Sequence, residues 1–176
     1  MKLRIKEIRE FFQQNSGAAA IEFAILVVPF TLLIFGIIEI SLMFTAQTML
    51  QSATNKATRE IRTAELHSVS DAEDEFEKIV CNNINLMLEC EKLGYEVVDV
   101  DNFSDAADLE AQFDDDNEFE SRGFELPGAE STVLVRTVYR YPLATNFFQN
   151  VFADGPDNET RLFISTNVLE IEPFEF

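Results

Sequence analysis

Hydrophobic positions divide the chain into two regimes. From Ala18 to Ile38 run 21 residues with a single charge, Glu22. At a rise of ~1.5 Å per residue this length crosses a hydrocarbon core of ~30 Å, which predicts one membrane-spanning helix. Beyond it, Ile40, Phe44, Leu50, Ala53, Ala57, Ile61 and Ala64 fall mostly three or four apart, the period of one helix face. No Gly or Pro interrupts between Gly36 and Leu66, so the helix is expected to run from about Ala18 to about Glu65, or ~70 Å. Pro29 should bend it by removing a backbone donor and crowding the preceding turn.

The remaining pattern is mixed. Ser70-Asp71 followed by Glu73, Asp74 and Glu75 reads as a helix start, because acids suit the positive end of the helix dipole. Phe76, Ile79, Val80, Ile84, Met87 and Leu88 then share one face, predicting a helix from about Asp71 to Met87. After Gly94, the alternating YEVVDVDNF predicts a strand, and Ser131–Tyr141 and Thr160–Ile171 predict two more, with the breaker sequence Asp154-Gly155-Pro156-Asp157 between them. Asp105–Glu120 is dense in acids with little periodicity and reads as a solvated loop or short mobile helix. The sum is an α+β fold: a long N-terminal helix, its first half transmembrane, carrying a small extracytoplasmic head. That head would hold one or two further helices and a small, mainly antiparallel sheet.

Length fits this plan. Of 176 residues, the leader and membrane segment leave enough for one modest domain but not for two. The expected division is 1–17 leader, 18–44 transmembrane helix, 45–66 helical stalk and 67–176 head. Charge is uneven: the leader's Lys2, Arg4, Lys6 and Arg9 outweigh Glu7 and Glu10, so the leader is +2 and the remainder of the net −19 chain is −21. Such a surface repels phosphate and argues against nucleic acid as a partner. The basic leader predicts a cytoplasmic N-terminus and a head outside the cytoplasm, although Lys56, Arg59 and Arg62 weaken the bias.

Two details set the membrane segment apart from a simple anchor. The small-residue junction Gly17-Ala18 precedes the apolar run, whereas a secretory signal peptide is cut after it. Glu22 sits inside the run, where an ionisable side chain costs a few kcal/mol and usually serves a function or a partner. Gly17, Ala18-Ala19-Ala20-Ile21, Glu22-Phe23 and the long apolar helix together resemble the processing site of Flp-type prepilins, in particular of TadE-like pseudopilins. Val133–Pro142 and Asn167–Phe174 are similar to late segments of that family. The resemblance implies cleavage between Gly17 and Ala18 by a prepilin peptidase and a mature helix that stays in the bacterial inner membrane. It also implies assembly through Glu22 and Phe23 with other pilin and pseudopilin subunits, on a Tad inner-membrane platform.

Cys81 and Cys90 are the only cysteines. In an oxidising compartment a disulfide between them is expected. On one continuous helix, however, nine residues would hold them ~13 Å apart and on opposite faces, beyond the ~7 Å that a bridge spans. The helix must therefore end or bend between them, and Asn82, Asn83 and Asn85 favour that. Two thiols and the distant His67 fall short of a four-ligand metal site, so no metal or other cofactor is expected. Asp114–Glu125 has acids at calcium-loop positions but Phe119 where such a loop needs glycine. No nucleophile, phosphate-binding or metalloprotease motif is present, and His67, on a polar stretch, reads as a surface residue; an enzyme is not expected. Two readings remain: a minor pilin or pseudopilin, and a membrane-tethered binding or adhesion module with no filament role.

Overall fold

The computed structural model describes residues 16–155 and 158–173. Most of the basic leader, half of the Asp154–Asp157 turn and Phe174 lie outside the described residues. The chain divides into two compact units, Met1–Ile40 and Ser41–Phe176.

Helix α1, Ser16–Arg62, passes through Pro29 as one helix and contributes to both units. In the first unit its apolar side chains face outward: Phe23, Leu26 and Phe30 are each more than 60% exposed. The helix is long and apolar enough to cross a membrane. It stops at Arg62 because the chain turns left-handed at Ala64 (φ 61°), at the helix end where glycine is the usual occupant.

In the second unit α1 becomes the spine of a domain. Ala46, Leu50, Ala53, Ala57 and Ile61 are fully buried, at the three- and four-residue intervals expected of one face. Phe44 does not share it. Six residues before Leu50, it points about 120° away and is 64% exposed, while Ala46 takes the inward position. The small side chains let the helix lie close against a three-stranded antiparallel sheet of order β1-β2-β3. The strands are β1 (Leu93–Val100), β2 (Thr132–Pro142) and β3 (Thr160–Glu170).

Helix α2, Ala72–Ile84, starts where Asp71 accepts a hydrogen bond from the Asp74 amide at 3.2 Å, which satisfies a donor that the first turn would otherwise leave open. Its buried face, Phe76, Ile79, Val80 and Ile84, is joined by Leu88 just past the helix end. This face packs with α1 and with Val97, Val133, Val135 and Tyr139 in a single core. Two short helices complete the head: α3 (Phe103–Asp108), capped by Asn102, and α4 (Asn146–Phe152). The sequence pattern predicted only a turn where α4 lies; seven residues with none buried give no core-facing period to read.

The acidic segment is the main correction. It is neither a solvated loop nor a mobile helix throughout. After α3 it forms a hairpin in which Phe113 bridges Phe119, with the Asp114 amide donating to the Glu118 carbonyl at 3.0 Å and the Glu120 amide to the Gln112 carbonyl at 2.9 Å. It then runs parallel to the outer edge of β1: the Val97 amide donates to Gly123 and its carbonyl accepts from Glu125. One edge of the sheet is thus covered, which is how folded sheets avoid pairing with other chains. The acids face solvent while Leu109, Ala111, Phe113, Phe119 and Phe124 are half-buried. The Phe119 ring lies so close to Gly94 that a Cβ there would meet it at 2.7 Å, so this crossing requires glycine.

Candidate functional site

Gly17, Ala18, Glu22 and Phe23 all lie in α1 and are exposed, Phe23 at 67%. Ala18 and Glu22 are four residues apart and occupy one side of the helix. An α-ammonium created at Ala18 would lie on the same helix face as the Glu22 carboxylate. A bare carboxylate in hydrocarbon is costly, and a cation supplied at the same depth offsets that cost. The arrangement can therefore hold one ion pair, either within the helix or toward a neighbour. A second carboxylate, Glu39, directly follows the apolar run and is 7% exposed.

In the head, Cys81 and Cys90 form a disulfide with their Cα atoms 5.4 Å apart. The bridge is possible because α2 ends at Ile84 and the chain turns back before the short helical turn Cys90–Lys92. It closes beside the path into β1. Glu77 approaches both sulfurs with metal-ligand spacing, but sulfurs bonded to each other are not thiolate ligands. His67 is half-buried, not fully at the surface, and its Nε2 lies 2.8 Å from the Pro127 carbonyl, a tie between loops. Tyr95 on β1 donates to Glu73 and Glu77 of α2 at 3.3 Å. Burial first, and then those two carboxylates, push its phenol above the ordinary tyrosine range.

The most elaborate polar constellation was not visible to sequence reasoning. Register places Glu96, Arg136 and Thr166 side by side across the three strands. Glu96 is fully buried. It accepts from Arg136 Nη1 at 2.5 Å, from Arg122 Nη1 at 3.0 Å and from the Arg122 amide at 3.2 Å. Arg136 also donates from Nε to Thr166 at 3.1 Å and from Nη2 to the Leu109 carbonyl, and Arg122 donates to the Glu110 carbonyl at 2.7 Å. Two guanidinium groups thus fasten the acidic segment to the sheet through one carboxylate. The available signal was faint: Glu96 and Arg136 each interrupt an apolar strand, and Arg122 is the sole Lys or Arg between Lys92 and Arg136. The arrangement attaches the acidic segment to the sheet.

Residues 17–59 match the family model of TadE-like proteins. The TadE-like segment begins at the Gly17-Ala18 junction, includes Glu22 and Phe23, and ends three residues before α1 does. The similar stretches 133–142 and 167–174 fall outside it. They contribute β2 apart from Thr132, and the last four residues of β3, Asn167–Glu170. No curated protein and no solved structure matches the chain. The match suggests a Tad pilus-associated protein, and the single apolar helix is compatible with single-pass membrane anchoring.

Proposed function

We propose that the protein is a minor pilin or pseudopilin that helps build a Flp-type (Tad) pilus: a structural subunit, processed after Gly17, with no catalytic role of its own. The observation that carries this reading is the TadE-like match over residues 17–59, which holds the junction and Glu22 on one exposed helix. A tether needs neither feature. In the proposed assembly, the α-ammonium of Ala18 on an adjacent subunit is the cation that Glu22 meets, in the inner membrane and then in the filament or at its base. The N-terminus faces the cytoplasm before cleavage, and the head lies in the periplasm. Prepilin peptidase, other pilin subunits and the Tad assembly platform are the partners.

Glu22→Gln tests this by keeping the side chain's shape and removing its charge. The expected result is normal insertion and processing with loss of co-purification with pilin subunits. Unchanged co-purification and piliation would return the chain to the class of tethered binding modules.

A further inference from the structure

We infer that α4 is a foot by which the head rests on a lipid surface; this builds on the membrane-anchored reading of α1. Within the second unit, α1 gives the head a direction. The chain enters at Ser41, and Gln47 donates to the Ile164 carbonyl at 3.3 Å. Met43 and Phe44 line a cleft with Asp154, in the β2–β3 connection after α4, and Arg161, at the start of β3. At the far end of the sheet, the Glu172 amide donates to the Arg62 carbonyl, and the two side chains form an ion pair at 3.1 Å. The connection carrying α4 is therefore at the end of the second unit where its own first residues, Ser41–Phe44, lie.

The composition of α4 matches that position. Leu143–Ala153, LATNFFQNVFA, contains no charged residue in a chain of net charge −19. Phe147 and Val151 are 59% and 60% exposed, and the Phe148 ring stacks on Phe152 at 5.7 Å. Residues 147, 148, 151 and 152 lie on one helix face. The polar atoms hold the helix in place instead: Gln149 donates to the Leu143 carbonyl at 3.0 Å, and Arg161 to the Phe152 carbonyl at 3.1 Å. An element held by hydrogen bonds to its neighbours, with Phe147 and Val151 turned outward over half-buried Phe148 and Phe152, suits the interface of a bilayer, where such a face sinks ~5–10 Å into the headgroup boundary. Exposed Phe44, where α1 enters the head, adds apolar surface at the same end.

The chain has no tryptophan, so Phe147→Trp provides a single reporter in the full-length protein. The protein is reconstituted in phosphatidylcholine–phosphatidylglycerol vesicles, with and without bromine near the carbonyl end of the phosphatidylcholine chains. Flotation after carbonate washing checks the anchor separately. Phe147→Trp and Val151→Trp should emit at shorter wavelength than in water and be quenched about twofold by brominated lipid. Phe103→Trp, on exposed α3, should show neither effect. If the Phe147→Trp protein floats but its emission matches that of Phe103→Trp, the foot is overturned while the anchor stays intact. A blue-shifted but unquenched signal would assign the face to a protein partner, which also overturns it. Failure to float would overturn both.

Discussion

The two faces of the head's sheet are held by different physics. Toward α1 and α2, Val97, Val133, Val135, Tyr139 and Phe163 meet Leu50, Ala53, Phe76 and Val80 in a core whose stabilisation grows with apolar area removed from water. A polar exception is Thr54, which meets Thr137 at 2.6 Å. Toward the acidic segment, buried Leu134 and Val138 are joined by polar ties: the Glu96 carboxylate with its two arginines, and Arg140, which donates to the Asn117 carbonyl and lies over the Phe113 ring. The first face is redundant, because many contacts share the load. The second is brittle: a buried charge that loses its partner is worse than no charge at all.

Glu96→Gln should therefore have the largest effect. It leaves Arg136, whose side chain is 6% exposed, facing a neutral amide, and a loss of about 3–5 kcal/mol is expected in chemical denaturation. Hydrogen exchange should quicken over residues 109–125 before the helix face loosens; simultaneous loosening of both faces would remove the contrast. Leu50→Ala attacks the other face. Emptying a fully buried site should cost about 2–4 kcal/mol and leave exchange in 109–125 as it was until global unfolding. Replacing Cys81 and Cys90 by Ser should cost about 2–3 kcal/mol through the unfolded chain's regained freedom, and loosen α2 with the start of β1. Two free thiols trapped from unreduced protein would refute the bond itself.

The smallest effect concerns Glu60, on α1. Burial, aided by Glu65, holds its carboxyl above the ordinary carboxylate range despite Lys56. The folded state then binds this proton more tightly than the unfolded chain, so ionisation penalises folding above the folded pKa and not below the unfolded one. Glu60→Gln should gain up to about 0.5 kcal/mol at neutral pH, and the gain should disappear as the pH falls through the carboxylate range.

That asymmetry also explains what the sequence could reveal. The apolar run of α1, the inward residues of α2 and all three strands announced themselves through period, because a face buried against water-excluding neighbours needs apolar residues at fixed intervals. Phe44 was misassigned because six residues are neither one helical turn nor two. The acidic segment was misread for another reason: its half-buried residues alternate weakly among acids, and its attachment comes from residues as far apart as Glu96 and Arg136, which no local pattern connects. Gly17, Ala18 and Glu22 of the candidate assembly site, with Phe23 beside them, stand out in the sequence because a charge and a small-residue junction break the pattern around them. α4 was not legible, since seven residues that face away from the core leave no inward period.

The central claim, that this is a pilin-type subunit built around α1, is tested most directly by the intact mass of the protein extracted from the membrane. The expected mass is that of a chain beginning at Ala18, with the disulfide intact. A mature protein that still carries Met1–Gly17, or one cut after Phe44, would contradict the claim.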